Sequence, residues 1–139
     1  MSDEKVVYDA IELFVSTAWT ATPVGYPNTT GTDVEGAGTD LSEGIADYIE
    51  FSVTFGPRSA REAGATSVRR DGVLVFHVHT RIGSGDSILH DLAGRLLDLF
   101  SWQPVVANVV FEDGRAFTPF DKKEWRAITC SIDFYFNKT

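Results

Sequence analysis

The stretch from Val73 to Phe100 constrains the fold of this chain more than any other part of the sequence. It starts with an alternating apolar segment that is typical of a β-strand and continues through the glycine-rich segment Gly83–Ser87. Apolar residues then recur at helical spacing. This order has two interpretations, because free N–H groups at a helix N-terminus bind phosphate in many enzymes. The alternative is a plain crossover connection between two strands of a structural protein.

The rest of the chain shows one further helix and several strands. Apolar residues recur at helical spacing from Glu4, and this helix should end before Pro23, because the residue before a proline avoids the α region. The segments 29–44 and 56–71 are predicted to be loops, and Glu112–Arg115 a turn. Alternation and turn residues predict strands at Val24–Asn28, Asp47–Phe55, Val73–Ile82, Val105–Phe111 and Trp125–Phe136. The proline in the first of these indicates either an edge strand or the end of a strand.

This element order predicts an α+β fold with a mixed or mainly antiparallel sheet of four to five strands and two helices packed on one face. The 139 residues form a single predicted domain, residues 1–139. Strands Asp47–Phe55 and Val73–Ile82 should be antiparallel neighbours, and the second helix should form a crossover. Its predicted apolar stripe consists of Ile88, Leu89, Leu92, Leu96, Leu99 and Phe100.

Charge and cysteine content narrow the function classes. Twenty acidic and twelve basic residues give a net charge of −8, which argues against a protein that grips DNA or RNA, because that affinity comes largely from Lys and Arg. The single cysteine, Cys130, cannot form an intrachain disulfide and is predicted to be buried on a strand. No signal peptide is visible, and no apolar run approaches the roughly eighteen residues that span a bilayer. The cysteine content fits a reducing cytoplasm, and no contact with a membrane is expected.

Two segments contain residue types that carry chemistry elsewhere. His77 and His79 have the spacing of metal ligands, but no third ligand follows nearby, so two histidines on a sheet face or at a subunit contact are the better interpretation. The Gly83–Ser87 segment lacks the Lys of a P-loop and the third glycine of a dinucleotide fingerprint. Asp86 would also oppose a bound anion, so a strand-to-helix turn capped by Asp86 or Ser87 is favoured. No catalytic residue, metal or cofactor is predicted.

Candidate interface residues follow from local charge and from aromatic character. A predicted loop in an otherwise acidic chain contains four arginines, and loops often carry binding residues. A tryptophan at the start of the last strand, on the face opposite Ile128, suggests a contact surface, although packing under residues 116–120 is an equal alternative. The predicted interface set is Arg58, Arg61, Arg69, Arg70, His77, His79 and Trp125.

The order of these segments resembles that of the tail terminator proteins of long-tailed bacteriophages. The resemblance covers nearly the whole chain, and the joint order and spacing are more specific than any single motif. The long segment 29–46, rich in Thr, Gly and Asp, departs from the family pattern and leaves the length of the first strand open. The similar parts are the N-terminal helix, Thr22–Asn28, Tyr48–Phe55, Arg70–Phe76, Ile82–Phe100 and Glu124–Phe134.

The resemblance implies a structural role without a reaction. Copies would assemble as a ring, commonly of six, on the last ring of the tail-tube protein, end tube polymerisation and offer a surface for head attachment. The expected partners are other copies of the chain, the tail-tube protein and a neck or head-completion protein, while DNA passes through the channel without specific binding. The expected location is the neck-proximal end of the virion tail, after assembly in the host cytoplasm. Another neck or head–tail connector protein, or less readily a small phosphate- or nucleotide-binding domain, is the alternative.

Overall fold

A computed structural model describes residues 3–26, 47–56, 68–83, 85–101, 109–122 and 124–138. This part of the chain forms two helices and a six-stranded mixed sheet, which confirms the α+β prediction with one strand more than expected. The helices are α1 (Asp3–Ala18) and α2 (Asp86–Phe100). The strands are β1 (Val24–Gly25), β2 (Asp47–Phe55), β3 (Val68–Arg81), β4 (Val109–Ala116), β5 (Phe120–Lys122) and β6 (Trp125–Lys138).

The sheet has the strand order β1-β2-β3-β6-β4, and β5 also pairs with β6. The short strand β1 lies at one edge, which is one of the two predicted alternatives, and runs parallel to β2. All other pairs are antiparallel, including the predicted pair of β2 and β3, in which Phe51 lies opposite Phe76. The α2 helix connects β3 to β4, which lies beyond β6 in the sheet. The longest pairing, between β3 and β6, forms the centre of the sheet.

Both helices pack on the same face of the sheet, as predicted. The α1 helix buries Val7, Ile11 and Val15 at helical spacing, and the edge of the Phe14 ring contacts Phe100 of α2 at 5.3 Å between centroids. Each fully buried side chain of this size contributes about 1.5–3 kcal/mol to folding. The sheet residues beneath the helices are equally apolar: Leu74, Phe76, Val78, Ile128, Cys130, Ile132, Phe134 and Phe136.

Several element boundaries differ from the predictions. Strand β3 begins at Val68 instead of Val73, because β6 continues to pair with it as far as Lys138. The predicted turn Glu112–Arg115 lies inside β4, where a register shift between Phe111 and Gly114 accommodates it as a bulge. Ile88 of the predicted stripe is exposed.

Some predictions fall on residues outside the described part. These include most of both predicted loops, the end of the first predicted strand, and residues 105–108 of the fourth predicted strand. Among the described helices, none has the length and apolar character required to cross a membrane.

Candidate interaction surfaces

Alternation along β2, β3 and β6 gives the sheet a second face that neither helix covers. Three of the predicted interface residues meet near one end of this face. The His79 ring stacks on Tyr48 with centroids 4.3 Å apart, and the edge of Trp125 meets Tyr48 at 4.7 Å. His77 lies beside them, with its Nδ1 atom 3.1 Å from the Thr129 hydroxyl. The structure thus brings these three side chains together on the helix-free face.

Polar groups surround this aromatic patch. The Nε2 atom of His79 lies 3.0 Å from a carboxylate oxygen of Glu50, a residue that pairs with His77 across β2 and β3. The Arg81 guanidinium lies 4.0 Å from the centroid of the Trp125 ring and also pairs with Glu124 at 3.1 Å. The sequence did not predict the position of Glu50 beside His79, because this position depends on the register of β2 and β3.

The patch is packed rather than open. His79 is 1% exposed and Trp125 is 7% exposed, so both side chains are buried by other residues of the same chain. No cluster of three or more His, Cys, Asp or Glu side chains among the described residues is arranged to hold a metal ion. The burial of Trp125 favours the packing alternative over an exposed contact in the isolated chain.

The predicted arginine group is split between the two faces. Arg69 lies on the helix-free face, where its guanidinium stacks 4.0 Å from the Tyr135 ring centroid and pairs with Asp71 at 2.9 Å. Arg70 points to the opposite face, where it is buried, pairs with Glu4 of α1 and donates a hydrogen bond to the Gly56 carbonyl.

The expected loop position of Arg69 and Arg70 is therefore corrected, because both lie in β3 and strand alternation directs them to opposite faces. Arg70 fixes α1 to the sheet instead of contributing to an exposed patch. Arg58 and Arg61 lie outside the described residues.

The glycine turn before α2 has the geometry of a strand-to-helix connection. Gly83 and Gly85 both have positive φ, 93° and 85°, which glycine adopts without strain. Gly85 occupies the N-cap, and no side chain caps the helix, in contrast to the predicted cap by Asp86 or Ser87. Asp86 instead accepts two hydrogen bonds from Arg126, at 3.2 and 3.3 Å.

The bonds from Arg126 lower the pKa of the Asp86 carboxyl below its ordinary value, so it is ionised at neutral pH. An anionic ligand at this helix N-terminus would face a carboxylate. The turn is consequently a poor phosphate site, despite its glycines and its free N–H groups.

Cys130 lies in the core beneath the helices and has no exposed surface. Burial raises the pKa of its thiol to about 11, which keeps the sulfur protonated at neutral pH. The thiol is therefore a buried structural group, as its position between Ile128 and Ile132 predicted.

One edge of the molecule carries a shallow cavity, which we call the α1 groove. Its volume is about 350 Å³. Tyr26 follows edge strand β1 and contacts Phe51, so the groove lies at the β1 edge on the helix-covered side. Leu13 is 64% exposed and contributes apolar surface to it. The lining residues are Asp9, Glu12, Leu13, Ser16 and Tyr26.

The opposite edge carries an apolar surface, which we call the β4–β5 edge. The register of β4 and β5 against β6 places its side chains on the helix-free face. The backbone N–H of Phe117 donates to the Thr129 carbonyl at 2.8 Å, and the Arg115 guanidinium lies 5.1 Å from the Phe117 ring centroid. Sequence reasoning missed this edge because a turn was predicted there. Its members are Val110, Arg115, Phe117 and Phe120, whose apolar side chains are all exposed.

Comparison with known proteins supports the fold. The chain matches no protein-family model and none of the curated proteins. Fifteen chains in solved structures match it. One of them aligns with a TM-score of 0.69 over 98% of this chain and 96% of its own length, at 20% identity, and its name describes no activity. At this identity, the likeness shows that the fold is shared and nothing further.

Proposed function

We propose that this protein is a structural virion component that caps the tail tube of a long-tailed bacteriophage as a ring of identical copies, six by the family resemblance. The ring ends polymerisation of the tube and presents the surface to which the head or neck attaches. The observation that carries the proposal is the presence of two unlike exposed surfaces at opposite edges of one sheet, a groove lined by acidic and apolar side chains and an apolar edge.

A closed ring of identical subunits requires such a pair of surfaces. Neighbours in a ring of more than two copies meet head to tail, so each copy uses one surface toward one neighbour and a different surface toward the other. The α1 groove and the β4–β5 edge meet this requirement, because they differ in shape and lie at the two ends of the strand order. Neighbouring exposed apolar side chains, such as Phe117 and Phe120 of the β4–β5 edge, are typical of interaction sites.

The chemistry of the remaining surface agrees with a non-enzymatic role. The net charge of −8 suits a ring around a DNA channel, because a basic wall would hold the phosphates. The Asp86–Arg126 pair satisfies its charges within the chain, and His79 lies buried beside the carboxylate of Glu50. A phosphate-binding enzyme is disfavoured by the ionised carboxylate at the α2 N-terminus.

Another ring-forming connector of the neck is the second candidate, because the same two edges would serve it equally. The two functions differ in where the ring is located. A tail terminator lies on the tube end, whereas a head-completion protein lies at the portal of the head.

Co-assembly with the tail-tube protein from the same source tests the proposal. Tubes grown with and without this protein are compared by electron microscopy, and native mass spectrometry gives the copy number of the bound species. We expect tubes of limited length that carry one ring at the head-proximal end, and unlimited growth in the control without the protein. A molecule that stays monomeric and does not bind tubes would reject the proposal, and a ring found only at the portal would favour the connector.

A further inference from the structure

We propose that the contact that closes the ring is made by the Arg115–Phe117 pair of one copy, inserted into the α1 groove of the next copy. The occupant of the groove is thus a second copy of this chain. This inference rests on the proposed function and adds to it the two surfaces that meet.

The placement of the two surfaces sets how neighbouring copies are arranged. The α1 groove lies on the helix-covered side at the β1 edge, and the β4–β5 edge presents its side chains on the helix-free side. One copy can therefore lay its helix-free edge over the outer side of α1 of its neighbour. Each copy then overlaps the next in the same sense, which is the head-to-tail contact that generates a ring.

The size of the groove and the apolar part of its lining suit an aromatic side chain. Its volume of about 350 Å³ is sufficient for a phenylalanine ring, and Leu13 and Tyr26 supply apolar surface. Phe117 is 45% exposed, while its backbone is held by the hydrogen bond to Thr129. An aromatic side chain on a backbone held in this way loses little conformational freedom on binding, which makes it an effective anchor.

Charge complements this fit. Glu12 lines the groove, where it accepts a hydrogen bond from Tyr8, and Arg115 stacks on the exposed ring of Phe117. Burial, and then the charge of Glu12, raise the pKa of both Tyr8 and Tyr26, in agreement with a negative potential at the groove. Insertion of Phe117 would bring the guanidinium beside it toward that carboxylate, and such pairs fix the register between partners.

Engineered disulfides test the contact directly. The chain offers a silent background, because its one cysteine, Cys130, is buried with a thiol pKa of about 11. In rings assembled on tail tubes, the pair Leu13→Cys and Phe117→Cys should form intermolecular disulfides and give a ladder of covalent oligomers that ends at the ring. The matched control is Leu13→Cys with Ile82→Cys, since Ile82 is also exposed but lies after β3.

The outcomes separate the contact from the function. Rings that assemble normally without crosslinking above the control would overturn the inferred contact and leave the proposed function standing. The absence of any ring or tube-bound species from the wild-type chain would overturn both. A different protein crosslinked at Leu13→Cys in place of a second copy would also overturn the inference.

Charge reversal provides a second, independent readout. Glu12→Arg and Arg115→Glu should each weaken assembly about tenfold, a typical effect for a charge pair at an interface, and the double variant should recover most of the loss. Asp91→Arg, the same charge change at an exposed position of α2, should leave assembly unchanged. Losses that simply add in the double variant would reject the contact, provided that circular dichroism shows each variant folded.

Discussion

The two faces of the sheet are built from the same strands but reach their stability in different ways. Strand β3 sends Leu74, Phe76 and Val78 to the helix-covered face, where none of the three has exposed surface. Its alternate residues Val75 and His77 lie on the helix-free face and are only half-buried. On the helix-covered face, the two helices therefore bury the side chains of the sheet. On the helix-free face, a side chain is buried only where neighbouring side chains of the sheet pack around it.

The helix-free face shows this second mode in the packed patch of Tyr48, His79 and Trp125. Their rings contact one another at 4.3 and 4.7 Å, and together they reach the burial of core residues without a helix above them. Polar atoms remain at the rim of the patch, including the carboxylate of Glu50 beside His79. The patch thus stabilises one end of the sheet while it keeps charged groups near the surface.

The largest expected effect is at Phe76, on the helix-covered face. Phe76→Ala should lower the free energy of unfolding by about 3–5 kcal/mol, because the substitution would leave a cavity between the sheet and α2. The Phe76 ring packs there against Phe100, with the two ring centroids 5.5 Å apart. Val75→Ala, the adjacent position on the helix-free face, should cost about 1 kcal/mol or less. Urea unfolding measures both. Equal costs at the two positions would contradict the assignment of faces.

Trp125 tests whether the aromatic patch behaves as a core. Trp125→Ala should cost about 2–4 kcal/mol, since it removes the contact with Tyr48 and the stacking of Arg81 on the indole ring. Trp125→Phe keeps a ring in the same place and should retain most of this stability. A cost below about 0.5 kcal/mol for the alanine variant would mean that the patch is a surface arrangement without energetic weight.

Gly72 tests how closely two strands approach on the helix-covered face. A Cβ atom at this position would overlap the buried phenyl ring of Phe134, so Gly72→Ala should cost about 1–3 kcal/mol. The control is Gly94 of α2, where a Cβ would meet nothing within 4 Å. Gly94→Ala should stabilise the protein by about 0.5–1 kcal/mol, because alanine favours the helix. Thermal unfolding of the two variants should shift in opposite directions.

The sequence predicts the helix-covered face more fully than the helix-free face. Period-two alternation was sufficient to place Phe51, Phe76 and Ile132 on the inner side, and the long strand Asp47–Phe55 was predicted with its observed bounds. Helical spacing identified both helices, although Ile88 is exposed in the structure. These signals are local, and each reports directly which residues lose contact with water.

The features that the sequence did not predict depend on pairing between distant segments. Residues Glu112–Arg115 lie in a bulge of β4, because β6 pairs with β4 on both sides of them. Their charged residues and glycine are also typical of a turn, which is why a turn was predicted there. Glu50 reaches His79 only through the register of β2 and β3. The α1 groove likewise depends on the pairing of β1 with β2, and the β4–β5 edge depends on the pairing of β4 and β5 with β6, so neither surface appears in a local pattern.

The smallest expected effect concerns the Asp86–Arg126 pair, which lies outside both packed regions and is open to solvent. Arg126 lowers the pKa of Asp86 in the folded protein, so folding favours the ionised carboxylate. Its stabilisation is complete above the unfolded pKa of about 3.9, decreases as pH falls below it, and is lost below the folded-state pKa. The wild type should therefore melt slightly above Asp86→Asn at pH 7, and this difference should shrink toward zero as pH falls through the acidic range. Arg126→Met should abolish the same pH-dependent part. A difference in melting temperature between wild type and Asp86→Asn that stays constant from pH 7 to the acid limit of folding would contradict this prediction. It would show that Asp86 stabilises the protein by packing, as the side chains of the helix-covered face do, and not by its charge.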